Sequence, residues 1–149
     1  MANITDYKQK YIRQCLEGNP CMIQVTLDFT TKNVAASDTV EVADLPKYPG
    51  KFIVPTYFTV QVETAEGGTA TANFGLKPTS GSSFTADPDG LDAAVNLNTA
   101  GVKTGTLGTD AQMGSRIDID NGATMYMTAA HALDAAKVHV TLGYVVVNS

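Results

Sequence analysis

The chain has 149 residues, enough for one domain with a substantial buried core, and only 17% of its residues are charged. Its net charge is −5 and its ten basic residues are scattered, so it lacks the Lys/Arg stripe that neutralises nucleic-acid phosphates. The chain is acidic and has no apolar run of about 20 residues, so we expect no membrane partner.

Residues 1–21 differ in pattern from the rest of the chain. Apolar and aromatic side chains recur there at helical spacing, namely Ile4, Tyr7, Tyr11, Cys15 and Leu16. Gly18, Asn19 and Pro20 would end such a helix. The segment carries three basic and two acidic side chains, whereas the remainder carries seven basic and thirteen acidic ones. We therefore expect a helical anchoring arm over residues 1–21, followed by a separate domain over residues 22–149.

The arm is expected to act through its apolar side chains. An isolated helix of this length is marginal in water, so it should become ordered by laying one face against another surface. The predicted interface residues are Ile4, Tyr7, Tyr11 and Leu16.

Cys15 and Cys21 enclose only five residues, so a disulfide between them would add a modest loop-closure term. The start of the chain lacks the pattern of a secretory signal, which predicts a protein made and kept in a cytoplasm or released by lysis. Free thiols are the expectation for that compartment. A metal site would need further ligands, and His131 and His139 are the only histidines, so we expect no metal and no cofactor.

From Met22 onward the hydrophobic period changes to two. In Met22–Phe29 the odd positions are apolar and the even ones mostly polar, which is typical of a half-buried strand. Similar segments follow at Thr39–Val42, Lys51–Glu63, Thr69–Leu76, Leu91–Leu97, Arg116–Asp120, Thr124–Thr128 and Lys137–Asn148. Pro55 interrupts one of them and predicts an edge or a bulge.

Turn residues suggest how these strands are joined. Gly67-Gly68 predicts a hairpin between Lys51–Glu63 and Thr69–Leu76, and Asn121-Gly122 predicts a second hairpin. Lys77–Gly90 is rich in Pro, Ser, Gly and Asp and is expected to form the longest loop. Seven to nine short strands with such turns predict an all-β fold, an antiparallel β-sandwich that is jelly-roll-like or Greek key.

Two acidic clusters resemble chemical sites but lack parts of them. Asp87, Asp89 and Asp92 are similar to the opening of a calcium loop, yet the closing bidentate Glu is missing, so a turn is expected. Asp118 and Asp120 would share one face of a strand and are expected to be solvated. Neither histidine lies in the context of a nucleophilic triad. The sequence therefore predicts no catalytic residues and a protein that is not an enzyme.

Four segments carry a resemblance to known proteins: Val40–Pro46, Phe58–Thr71, Asp87–Gly101 and Ala132–Val138. They resemble the head decoration, or capsid cement, proteins of tailed bacteriophages. The resemblance implies a β-sandwich on the capsid exterior, commonly a homotrimer, that clamps neighbouring subunits of the major capsid protein. It implies the virion as the final location and the host cytoplasm as the site of assembly.

Two other functions remain open at this point. A tail- or fibre-associated phage protein of the same fold could recognise host surface glycan, and a dedicated enzyme is the third possibility. The N-terminal arm could bind the shell or its own oligomer. Copy number in purified virions would separate the first two functions, because a cement protein should approach the major capsid protein in abundance.

Overall fold

The computed structural model describes residues 1–9, 14–79, 83–107 and 109–148. These residues form ten β-strands and no helix, so the predicted all-β class is confirmed. The strands are β1 (Asn3–Ile4), β2 (Pro20–Asp28), β3 (Thr39–Leu45), β4 (Lys51–Thr64), β5 (Thr71–Pro78), β6 (Asp87–Asn96), β7 (Gly101–Thr104), β8 (Ile117–Asp118), β9 (Ala123–Ala129) and β10 (Lys137–Asn148).

The strands form two sheets. Sheet A has the order β1-β3-β9-β5-β6, and sheet B has the order β2-β10-β4-β7, with β8 also pairing with β4. Four antiparallel pairs are nested in the chain: β2 with β10, β3 with β9, β4 with β7 and β5 with β6. This is one long hairpin folded over itself, the arrangement of a jelly roll.

The hydrophobic alternation explains how the two sheets pack. In β2 the side chains of Ile23, Val25 and Leu27 point inward and are buried, while the residues between them are exposed or half-buried. The inner faces of both sheets contribute to one core. Phe58 of sheet B and Phe74 of sheet A meet across it, with ring centroids 5.4 Å apart. Burial of these inward rows supplies the main driving force for folding.

Both predicted hairpins are wrong. The strands on either side of Gly67-Gly68 lie in opposite sheets, since β4 belongs to sheet B and β5 to sheet A. The segment before Asn121 pairs with Phe52 and Ile53 of β4, while β9 after it lies in sheet A. Gly122 does have the positive φ that a tight turn needs, 88°. The turn residues were identified correctly, but the chain reversals lead from one sheet to the other.

The segment predicted to be a turn at Asp87–Gly90 is also different in the structure. It is the start of β6, an edge strand of sheet A. Between the pairs Phe74 with Asp92 and Leu76 with Asp87, β6 has more residues than β5, so this stretch is bulged. A strand can therefore accommodate the turn-forming sequence. The irregularity predicted at Pro55 is confirmed, because the register of β4 against β10 shifts there.

The predicted N-terminal helix is not seen in the described residues, and that prediction is wrong. Asn3 and Ile4 pair in parallel with β3, Lys8 closes a turn onto Thr5, and Gln9 bridges to Ala43. The edge of β3 offers unpaired backbone groups that an extended segment satisfies, whereas a short helix would have been marginal alone. Tyr11 lies outside the described residues.

Cys15 and Cys21 form a disulfide, so the prediction of free thiols is wrong. Their Cα atoms are 6.0 Å apart, a separation that a disulfide spans. A turn brings them together, because the amide of Asn19 donates to the carbonyl of Leu16 and Gly18 adopts a φ of 78°. The prediction rested on the usual reduced state of thiols in a cytoplasm, which takes no account of this local geometry.

Candidate interaction surfaces

The four predicted arm residues have different environments. Ile4 belongs to the core and is only 7% exposed, whereas Leu16 is 76% exposed. Tyr7 packs against the core, and Tyr11 lies outside the described residues. The fold therefore places Ile4 and Tyr7 on the sandwich and leaves Leu16 accessible to other molecules.

Tyr7 fastens the N-terminal segment beside the end of β2. Its hydroxyl lies 2.6 Å from the carbonyl oxygen of Lys32 and 3.0 Å from that of Asp28, so it donates to one of them. Its ring meets Phe29 edge-on, with centroids 5.8 Å apart. Burial raises the pKa of the Tyr7 hydroxyl, which keeps it a donor. The segment is thus held by both polar and apolar contacts.

A cluster of polar side chains on the outer face of sheet A holds the same segment. We call it the Glu41 cluster, and it contains Asn3, Lys8, Glu41, Asp44 and Lys77. Glu41 accepts from Asn3 at 2.6 Å, from Lys8 at 2.9 Å and from Lys77 at 3.1 Å. Lys8 also lies 3.1 Å from a carboxylate oxygen of Asp44. These contacts connect the N-terminal residues to β3 and β5.

The electrostatics of Glu41 follow from those contacts. Burial raises its pKa, but the hydrogen bonds from Asn3, Lys8 and Lys77 outweigh burial and lower the pKa to about 2. Tyr126 lies opposite Glu41 on β9, and the Lys77 ammonium is 5.3 Å from the centre of its ring. The carboxylate is therefore ionised and fully engaged within the molecule.

Glu66 plays a similar internal role between the sheets. Its carboxylate accepts from the backbone amides of Asp134, Ala135 and Ala136, the last at 2.9 Å. Burial raises the pKa of Glu66, but these amide hydrogen bonds dominate and lower it. The side chain thereby fixes the loop that leads into β10.

Asp118 and Asp120, the second acidic cluster singled out in the sequence, are used in local structure. Asp118 accepts from the Ser83 hydroxyl at 2.6 Å and from the amide of Asp120 at 3.1 Å. Asp120 in turn accepts from the amide of Gly50 at 2.7 Å. Among the described residues, no group of three or more His, Cys, Asp or Glu side chains is placed to hold a metal ion.

The bulged edge of sheet A depends on Gln112, which the sequence analysis did not identify. Its side-chain amide donates to the carbonyl of Leu76 at 2.9 Å and accepts from the amide of the same residue at 2.8 Å. The backbone amide of Gln112 donates to the carbonyl of Gly90 at 2.8 Å. A Cβ on Gly90 would lie 2.5 Å from the Gln112 side chain, so a larger residue there would displace Gln112. Gln112 thus replaces the strand contacts that the bulge removes.

Sheet B has a largely uncharged outer face. One row consists of Gln24, Thr141, Thr59 and Thr104, and a neighbouring row places Met22 and Tyr57 on either side of Gly143. Met22 is 60% exposed and Tyr57 is 45% exposed. A Cβ on Gly143 would lie 2.7 Å from the Met22 sulfur, so glycine leaves room for Met22 over the sheet. At one end of this face Glu63 contacts His139.

The important polar residues Glu41, Glu66 and Gln112 belong to no sequence motif. Glu41 carried no distinguishing signal, because Val40-Glu41-Val42 alternates like an ordinary half-buried strand. A buried carboxylate in such a place requires partners. Its partners lie 33 or more residues away in sequence, at Lys8 and Lys77, so the pattern did not identify them.

Comparisons with known proteins indicate the fold. No protein-family model matches the chain, and no curated protein matches it significantly in sequence. A chain in the capsid of Ralstonia phage GP4 is similar in structure, with a TM-score of 0.61 and 20% identity over 96% of this chain and 97% of that one. A chain of the Cyanophage Pam1 capsid asymmetric unit has a TM-score of 0.57 and 15% identity, over 91% and 90%. No helix in the described part of the chain is long and apolar enough to cross a membrane.

Proposed function

We propose that this chain is a structural protein of a bacteriophage virion. Its role is to decorate the capsid exterior and clamp adjacent subunits of the major capsid protein. The observation that carries the proposal is the structural match to a chain in the capsid of Ralstonia phage GP4, which spans 96% of this chain and 97% of that one. The two chains are therefore nearly equal in length, and the likeness extends over the whole jelly roll.

The distribution of polar groups supports a role performed by surfaces. Glu41 and Glu66 are engaged in internal hydrogen bonds. The outer face of sheet B presents neutral side chains and exposed Met22 and Tyr57, which can be buried against a neighbour at little desolvation cost. We propose a homotrimer on the capsid exterior, non-enzymatic and assembled in the host cytoplasm.

We propose that residues 1–21 form the anchoring segment, with Leu16 as its contact residue. The disulfide partner Cys15 precedes Leu16, and the amide of Cys15 donates to the Tyr48 hydroxyl at 3.0 Å. Leu16 is therefore held in place while its side chain is 76% exposed. Contact with the shell would remove this large apolar side chain from water. Ile4 is buried, so its side chain supports the fold.

The alternative function is a tail- or fibre-associated module that recognises host glycan. The same jelly roll serves lectin domains, and the exposed Tyr57 offers a ring with a polar tip. The two functions differ in how many copies a particle needs.

Quantitative mass spectrometry of purified particles from the encoding virus tests the proposal. A decoration protein should approach the major capsid protein in copy number, whereas a tail or fibre protein should be scarce. Leu16→Ser should reduce occupancy on particles, while Leu107→Ser, at another exposed leucine, serves as the matched control. Low copy number in wild-type particles would contradict the decoration function, and normal occupancy of Leu16→Ser would contradict the contact assigned to Leu16.

A further inference from the structure

The free edges of the two sheets are not equally protected. Sheet A ends at β1 and β6, and sheet B ends at β2 on one side and at β7 and β8 on the other. A free edge offers unpaired amides and carbonyls to a strand of another chain. Proteins limit such pairing with short strands, charged side chains, proline or bulges.

All edges other than β2 have at least one of these protective features. The β1 and β8 strands have two residues each, and β7 has four residues and includes Lys103. The β6 strand is longer, but it contains Pro88 and three aspartates, its register shifts opposite Phe74, and Ala94 has a φ of 50°. None of these strands offers a long, regular edge.

The β2 strand has its proline, Pro20, at its first residue and its charged residue, Asp28, at its last, and it lacks these features between them. It has nine residues and pairs with β10 from Pro20 to Asp28 without a register shift. No side chain from Pro20 to Leu27 is charged, and burial alternates along the strand. Within the part of the chain that the structure describes, β10 is the one strand that pairs with it. A straight, neutral edge of this length is a template for a further strand.

We propose that this edge binds the β2 strand of a second copy of the chain. The two strands would run antiparallel across a two-fold axis at Gln24 and join both B sheets into one continuous sheet. The opposed residues would be Cys21 with Leu27, Met22 with Thr26, and Ile23 with Val25. Apolar inward rows then continue from one copy to the other, and neutral side chains meet on the outer face.

The sequence of β2 is the reason to choose a second copy as the occupant. An antiparallel pair centred on Gln24 keeps inward side chains opposite inward ones, as the pleat requires. Asp28, its one charged residue, would lie opposite Pro20 at either end, so no like charges face each other. The proposal concerns the free protein and does not rest on the capsid function. The homotrimer proposed above concerns the capsid-bound form, so either can fail alone.

The molar mass of the full chain, measured by sedimentation at micromolar concentration, tests the pairing. The wild-type protein should be a dimer. Gln24→Lys places two ammonium groups opposite each other, and Gln24→Glu places two carboxylates there, so each variant should dissociate about tenfold more readily. An equimolar mixture of the two variants should restore the dimer, because opposite charges then meet at the axis.

The matched control is Gln61→Lys, at an exposed position on the same face of sheet B but in the interior strand β4. It should leave the dimer intact. A monomeric wild-type protein would overturn the proposal, as would a trimer, or a dimer that Gln24→Lys leaves unchanged. Failure of the mixture to restore the dimer would overturn the register centred on Gln24. Melting curves of every variant verify that the monomer is folded.

Discussion

The two sheets of the sandwich use their outer faces differently. On sheet A, Glu41 is buried and receives hydrogen bonds from Asn3, Lys8 and Lys77, which fasten the N-terminal segment. On sheet B, the middle of the outer face carries threonines and Gln24, and its exposed Met22 covers a glycine. Polar groups on sheet A thus stabilise the chain itself, while the face of sheet B remains available for contacts with other molecules.

The edges of the sheets differ in the same way. Gln112 completes the irregular edge of sheet A by bonding both backbone groups of Leu76. The β2 edge of sheet B is regular, and Tyr7 reaches it only at its last residue, Asp28. If this contrast is correct, substitutions on sheet A should alter stability, and those on sheet B should alter assembly.

The largest effect on stability is expected from Gln112→Ala. The substitution leaves the buried amide and carbonyl of Leu76 without their partners, at a cost of about 1–3 kcal/mol for each group that water does not reach. Denaturant unfolding should therefore show a loss of about 2–4 kcal/mol. Gln61→Ala, on the outer face of sheet B, should change stability by less than about 0.5 kcal/mol. Equal effects of the two substitutions would remove the distinction between the sheets.

A smaller loss is expected from Glu41→Gln. The amide keeps the shape of the side chain but leaves Lys8 and Lys77 without their shared charge partner. Removing one partner of a fully buried ion pair costs about 3–5 kcal/mol, and the partial exposure of the lysines reduces this to about 2 kcal/mol. The control is Glu63→Gln on sheet B, an exposed partner of Lys137, which should lose much less stability than Glu41→Gln. If Glu41→Gln left the free energy of unfolding unchanged, the Glu41 cluster would contribute nothing to stability.

The same carboxylate predicts a dependence of stability on acid. The pKa of Glu41 is about 2 in the folded protein, compared with the ordinary value of 4.5, so the unfolded chain binds the proton more tightly. Its contribution is therefore complete above about pH 4.5 and is lost as the pH falls toward about 2. Unfolding free energies measured across this range should fall less steeply in Glu41→Gln. The pKa of Glu66 is also lowered, so the unfolding free energy of that variant should still depend partly on pH. An unchanged slope would contradict the lowered pKa of Glu41.

Comparison of sequence and structure separates local from long-range information. The period-two pattern predicted most of the strands but not β1 or β7, and β2 and β10 lie close to their predicted limits. Pairing could not be predicted from neighbouring segments, because a jelly roll nests its pairs and joins β2 to β10 across more than a hundred residues. The two-residue turn signals were real, but they do not specify which sheet the next strand joins.

The N-terminal segment shows the same limit. Helical spacing of Ile4 and Tyr7 was present, yet two strong long-range interactions decide the structure. The backbone of β3 pairs with residues 3 and 4, and Tyr7 reaches carbonyls near the end of β2. Such partners are invisible in a short window of sequence. Gln112 was missed for the same reason, since its partner Leu76 lies 36 residues earlier.

The smallest effect on stability is expected from substitutions on the outer face of sheet B. They test whether side chains on that face stabilise the monomer. Met22 and Val102 are 60% and 62% exposed, so replacing either with Thr removes little buried apolar area. Each substitution should change the free energy of unfolding by less than about 0.5 kcal/mol, because Thr also suits a strand. A loss above about 1 kcal/mol would mean that these side chains stabilise the monomer. An unchanged monomer in which Met22→Thr weakens self-association would instead support a contact beside β2, since Met22 lies on that edge strand and Val102 does not.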